Sequence, residues 1–231
     1  MATLIAGAAL DWEHKDYAPY VRNTVALMLS DHRLELAIAW VISTFLEAPD
    51  DETLLQAERT AGLPERLPVF RRVVDTCYSL PQDTVNDVRG ALVEWYAFSK
   101  VPEGVKHVTA QDDAGRIIDH PEIEEAVNAG LQTGHDLDVG RLGTSKAYAI
   151  ECKANAKRFL ASATTNRRNQ RKLEYMQLVK LALTSVSVYL FCFVTWNSTF
   201  ENEIVQRLAT RWPGVDRLNL ASLSELCASE S

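Results

Sequence analysis

An aspartate and a Glu-x-Lys triplet bracket one short stretch of this chain: Asp138, then Glu151-Cys152-Lys153. If 135–142 and 147–154 are strands joined around Gly143-Thr144-Ser145-Lys146, a turn centred between Thr144 and Ser145 sets Asp138 directly across from Glu151. Alternate residues of a strand share a face. Asp136, Asp138, Ala149, Glu151 and Lys153 are therefore expected on one side, and Leu137, Val139, Tyr148, Ile150 and Cys152 on the other. Two carboxylates about 5 Å apart, at an effective dielectric near 20, repel by roughly 3 kcal/mol. A divalent cation between them reverses the sign. Mg2+ takes hard oxygen ligands and keeps waters for a phosphate substrate. Lys153 would stand beside such an ion, where an ammonium group can orient a water and stabilise charge growing on a phosphate oxygen.

Several elements must position these residues. Apolar residues at helical spacing predict helices over 17–29, over 31–46 with Asp31 as cap, from about Asp51 to Gly62, and over 64–80. Pro81-Gln82-Asp83 opens a further helix to about Lys100, with Val85, Val88, Ala91, Leu92, Trp95 and Tyr96 at steps of three and four. After Pro102-Glu103-Gly104 the pattern changes to alternation: short strands are expected at 105–110 and 116–118, with a helical turn or loop at 121–130. Beyond the hairpin, 169–183 reads as a helix, 186–196 as a buried strand, 200–211 as a helix and 217–220 as a last short strand. The chain divides on this reading into a helical region, 1–82, suited to dimerisation, specificity or regulation, and an α/β core, 83–231.

The Asp138…Glu151-Cys152-Lys153 pattern at the end of an apolar strand resembles the D…ExK signature of the PD-(D/E)xK nuclease superfamily. Arg89-Gly90-Ala91-Leu92-Val93-Glu94 resembles that superfamily's first core helix, whose glutamate often joins the metal site. The order helix, three strands, helix, strand over about 83–196 matches its αβββαβ core. The resemblance therefore implies a restriction-endonuclease-like fold, with a mixed central sheet flanked by helices and a helical N-terminal addition. Leu137 stands where the nominal proline would, and that departure touches no chemical group. The resemblance implies a metal-dependent endonuclease that hydrolyses phosphodiesters, with DNA favoured over RNA, in restriction, phage defence, junction resolution or repair. It implies Mg2+, with Mn2+ able to substitute, held by Asp138, Glu151 and the backbone carbonyl of Cys152, with Glu94 in support and Lys153 positioning the nucleophile. Because duplex cleavage takes two cuts and relatives often pair to make them, a homodimer is expected.

The charge distribution agrees with a polyanionic partner. The net charge is −7, yet nine basic residues and one acidic residue lie between Val139 and Leu173. Lys157, Arg158, Arg167, Arg168, Arg171 and Lys172 follow the triplet directly and are expected to grip phosphates from a loop and a helix start, giving affinity without base choice. The bland readings are a solvated basic face, an exposed Glu151–Lys153 pair, and Glu94 as an ordinary helix glutamate. Asp136 is read as an outer carboxylate or plain surface. His135 reads as a turn residue, and His14, His32, His107 and His120 share no ligand spacing. Gln170, Gln177 and Lys180 read as surface, and Trp40 and Trp95 as core.

Two other function classes compete: a nucleic-acid-binding module that kept the fold but lost catalysis, and a non-catalytic interaction protein using its long apolar helices. A serine hydrolase has no GxSxG and a nucleotide-binding P-loop no GxxxxGK[ST]. Cys77, Cys152, Cys192 and Cys227 form no CxxC and read as reduced thiols, which with a poor secretory signal favours the cytoplasm. The apolar run from Leu178 to Trp196 contains Lys180 and a β-branched second half, so a helix end followed by a strand is expected rather than a membrane span.

Overall fold

The structure, a computed structural model, describes residues 3–6, 11–111, 114, 136–142, 147–193 and 198–228. The strand expected at 116–118, the turn at 121–130, His120, His135 and the hairpin turn at 143–146 lie outside the described residues. The chain is α/β. Its helices cover both faces of a six-stranded mixed sheet ordered β1-β2-β3-β4-β5-β6 along the chain. These strands are Thr3–Ala6, Val105–Gln111, Leu137–Arg141, Tyr148–Cys152, Ser187–Phe191 and Val215–Leu218. The first four run antiparallel to their neighbours, and β4, β5 and β6 run parallel. The opening residues, read from sequence as part of a helical region, supply β1, which pairs along β2.

One face carries α1 (Ala18–Ser30), α2 (His32–Thr44), α3 (Asp51–Ala61), α4 (Pro68–Tyr78), α5 (Gln82–Lys100) and, at the other end of the chain, α9 (Leu220–Ala228). A continuous apolar cluster joins them to Val139, Tyr148, Ile150, Cys152, Phe191 and Phe193. The opposite face carries α6 (Ala156–Ser162), α7 (Arg167–Ala182) and α8 (Ser198–Arg211), packed over Val108, Leu137, Ala149, Val188 and Leu190. Parallel strands covered on both faces must be apolar throughout, which is why β5 reads as a nearly continuous hydrophobic run. The apolar stretch from Leu178 is thus the end of α7 followed by β5, and among the described residues no helix is long and apolar enough to cross a membrane.

Local chemistry sets the helix ends. Asp31 caps α2 by accepting from the Arg33 N–H at 2.9 Å. Asp50 caps α3 through the Thr53 N–H at 2.9 Å, and Gly62 closes α3 at φ 71°. Each such cap is worth about 1 kcal/mol. Asn155 and Asn166 cap α6 and α7. The segment around Lys157 and Arg158, given no element in the sequence reading, is the helix α6, begun by a capping asparagine. α5 is pinned to the sheet by Tyr96, whose ring stacks on Phe191 at 6.1 Å and meets Phe193 edge-on at 5.3 Å. Losing so buried an aromatic costs about 3–5 kcal/mol. Glu94, two residues before it on α5, lies within electrostatic reach of Asp138 on β3.

Candidate metal and acid site

The β3–β4 register is the one the sequence predicts: Val139 faces Ile150, Gly140 faces Ala149 and Arg141 faces Tyr148. One more step brings Asp138 level with Glu151. The Cys152 N–H donates to Asp138 Oδ2 at 2.7 Å, which ties the aspartate to the end of β4.

The faces differ from the simple alternation in one respect. In β2 the Lys106 ammonium lies over the rings of Trp95 and Phe98 on α5, whereas Val108 packs into the cluster beneath α7. In β3 Val139 joins the α5 side, but Leu137, expected with it, joins the α7 side. Both strands change sides at the same level, between the pairs Lys106↔Val139 and Val108↔Leu137. The cause is local: His107 has φ 48°, a left-handed backbone that turns the chain over within a strand. Such a conformation costs a non-glycine residue about 1–3 kcal/mol and persists only where its surroundings impose it. Gly140 accepts the consequence: a Cβ there would fall 2.6 Å from Val108 Cγ1, so only glycine lets the displaced valine close over β3. Asp138, opposite His107, therefore sits where the sheet's two faces exchange, within electrostatic reach of Glu94 from α5 and of Glu151 and both lysines on the α7 side.

Glu151 is fully buried at 0% exposure and Asp138 nearly so at 8%. The Lys153 ammonium donates to Glu151 Oε1 and, at 2.9 Å, to the carbonyl of Cys152, the oxygen expected as an extra metal ligand. Phe159 of α6 lies 5.3 Å from that ammonium and holds it in place. Lys172, expected among the phosphate-gripping residues, is instead inside the site. Its Nζ lies 3.1 Å from Glu151 Oε2 and donates to the carbonyl of Asp136. The approach to Oε2 is too oblique for a hydrogen bond, so that buried oxygen has no donor. A signal for Lys172 existed in the sequence: Lys172, Met176 and Val179 are spaced four and three apart, which puts the lysine on the inward stripe of α7.

The electrostatics record crowding. Burial and the Glu151 carboxylate push Asp138 up to about 6 against the pull of Lys153 and Lys172. Burial and Asp138 push Glu94 up to about 8, opposed by Lys153. Burial works against the charge of Lys153, yet Glu151, Asp138 and Glu94 outweigh it and raise the lysine above its ordinary value. Lys172 is raised in the same way, by Glu151 and Asp138 against burial. Three carboxyls thus converge on two ammonium groups and remain under-compensated. The donor set is hard oxygen, and one of its oxygens is buried without a hydrogen-bond donor. That chemistry fits a divalent cation. Among the described residues no group of three His, Cys, Asp or Glu side chains is gathered closely enough to hold a metal ion; Lys153, Lys172 and the Cys152 N–H contact the carboxylates instead.

Of the remaining expected residues, Lys157 and Arg158 are exposed on α6, Arg167 and Arg168 are exposed in the first turn of α7, and Arg171 is half-buried. Asp136 is not plain surface. It accepts from His107 Nδ1 and lies 3.8 Å from the Lys172 ammonium. Gln170 bonds Glu174 at 2.7 Å and Lys180 donates to the Val186 carbonyl at 2.8 Å, so both serve α7 and its exit. Trp40 and Trp95 are half-buried against the core. Arg89, in the segment resembling the first core helix, is buried and donates to the Ile42 carbonyl at 2.7 Å, a structural role. The four cysteines are buried and none is in a disulfide. Comparison with protein-family profiles and with curated protein sequences returned no match.

Proposed function

We propose that the chain is a metal-dependent nuclease of the PD-(D/E)xK type, hydrolysing phosphodiester bonds with DNA as the first substrate to test. The observation that carries this reading is the fully buried Glu151, level with Asp138 and flanked by Lys153 and Lys172, with one oxygen lacking a donor. Burying a carboxylate is costly, and the two lysines that offset its charge leave Oε2 without a hydrogen-bond donor, a position a cation would fill. The element order α5, β2, β3, β4, α6–α7, β5 also supports the restriction-endonuclease-like αβββαβ core.

Asp138 and Glu151 would hold the cation, Glu94 would support it from α5, and the Cys152 carbonyl would become available once the Lys153 ammonium swings off it. The cation would supply positive charge to the phosphate oxygens and lower the pKa of a water. Lys153 would hold that water in line and meet the charge developing on phosphorus-bound oxygen. Lys172 would neutralise Glu151 before substrate arrives and keep Asp136 in place. Arg167 and Arg168, in the first turn of α7, oppose the helix dipole and so raise the positive potential there. With Lys157 and Arg158 they would track a phosphate backbone without reading bases.

The test is direct. Plasmid, single-stranded and branched DNA, and RNA are incubated with the protein in Mg2+, Mn2+ or EDTA. Cleavage by the wild type in either metal, lost in EDTA and in Lys153→Ala, supports the reading. Equal cleavage by wild type and Lys153→Ala overturns it.

A further inference from the structure

His107 stands opposite Asp138 in the β2–β3 ladder, between the pairs Lys106↔Val139 and Val108↔Leu137. Its backbone is left-handed at φ 48°. The imidazole Nδ1–H donates to Asp136 Oδ2, and Asp136 is itself braced by Lys172, which donates to its backbone carbonyl. The other ring nitrogen, Nε2, is buried and has no hydrogen-bond partner among the described residues. The acids that act on this ring beyond Asp136 are Asp138 and Glu94. An imidazole fixed through one nitrogen by a carboxylate, with its other nitrogen buried and unsatisfied beside two further carboxyls, has the arrangement by which proteins orient a histidine toward a metal ion. A structural histidine would have used Nε2 in a hydrogen bond, because leaving a buried polar atom unpaired carries a penalty. The left-handed backbone of His107 lies level with Asp138, at the point where both strands change sides.

We infer that His107 is a nitrogen ligand of the cation held by Asp138 and Glu151, with Asp136 as the carboxylate that orients it. This rests on the reading of those carboxylates as a divalent-cation site. It deepens that reading by naming the ion: a site of oxygens plus one imidazole favours a first-row transition cation such as Mn2+ over the all-oxygen preference of Mg2+. Lys172 then has a second task, holding Asp136 so that its carboxylate stays on the ring.

The experiment uses the full chain, stripped with chelator and loaded with one equivalent of Mn2+. Pulsed electron paramagnetic resonance detects nitrogen-14 of a directly bound imidazole, and calorimetry gives the Mn2+ and Mg2+ affinities. The wild type should show one coordinated nitrogen. His107→Asn, chosen because asparagine tolerates the left-handed backbone, should lose that signal and bind Mn2+ at least tenfold more weakly, with a smaller change for Mg2+. Asp136→Asn should keep the nitrogen signal and weaken Mn2+ binding by about tenfold. Mn2+ bound by the wild type without nitrogen coupling, or coupling that survives in His107→Asn, overturns the histidine assignment and leaves the carboxylate site standing. A wild type that binds no Mn2+ overturns both.

Discussion

Among the described residues two glutamates are buried to 0% exposure, and their surroundings have little else in common. Glu58, in the helical layer, accepts from both Nε and Nη2 of Arg71 at 2.9 Å and from the N–H groups of Arg66 and Leu67 at 2.8 and 2.9 Å. Burial raises its pKa, but this guanidinium fork and the two backbone donors hold it below the ordinary carboxylate value. Glu151 meets two lysines, one of them off-angle, and retains an oxygen with no donor. Arginine's planar fork satisfies a carboxylate completely, whereas an ammonium is a point charge that can move aside. A buried acid with every lone pair used holds a fold together. A buried acid left short of donors, next to two further acids, is poised to take a ligand.

The largest effect should come from neutralising each glutamate in turn. Glu151→Gln should abolish metal-dependent cleavage, a loss of at least a thousandfold, while leaving the metal-free fold as stable as the wild type or more so. Glu58→Gln should do the reverse: about 3 kcal/mol lost in urea denaturation, with cleavage per folded molecule unchanged. If both variants lose stability equally, the contrast between the two glutamates disappears.

Next comes the pH dependence of the metal-free protein. Asp138, up to about 6, and Glu94, up to about 8, bind protons in the folded state at pH values where the unfolded chain has released them. Folding stability should therefore fall as pH rises from the ordinary carboxylate range to about 8. His107, raised by its bond to Asp136 despite burial, adds in the same direction. Glu58 and Asp136 are lowered, so the stability they contribute is lost only as pH falls below the ordinary carboxylate range. Melting temperatures at pH 5 and pH 8 should differ by several degrees in EDTA, and saturating Mn2+ should remove most of the difference. A flat profile in EDTA would mean that Asp138 and Glu94 are not raised by their surroundings.

A smaller effect is expected at the point where the strands change sides. Gly140→Ala forces a methyl against Val108 and should cost about 1–3 kcal/mol, with reduced cleavage because Asp138 and His107 are displaced together. The smallest should follow from replacing Lys157, Arg158, Arg167 and Arg168 with glutamine. Binding to any DNA should weaken to the same extent whatever its sequence, and the dependence on salt should become shallower. A change confined to one DNA sequence would argue that these side chains read bases.

Much of the molecule follows from the chain alone. Caps such as Asp31, the three-and-four spacing of α5 and the hydrophobic run of β5 act within a few residues, so their consequences are local and readable. The β3–β4 register is local too, since few residues separate the two strands in sequence, and it is enough to bring Asp138 level with Glu151. Other features depend on segments far apart in sequence. Residues 3–6 become a strand only because β2 offers them an edge. Lys172 enters the site only because α7 packs over the sheet beside Asp136, although its place on the helix stripe was visible. His107 meets Asp138 across a long connection whose length sets no register. No periodicity anticipates the left-handed residue that moves Leu137 to the other face. Composition and spacing determined that acids and a lysine would gather at a strand end. The packing of distant elements decided how many donors those acids would lack, because burial and hydrogen-bond satisfaction belong to the assembled fold and to no single segment.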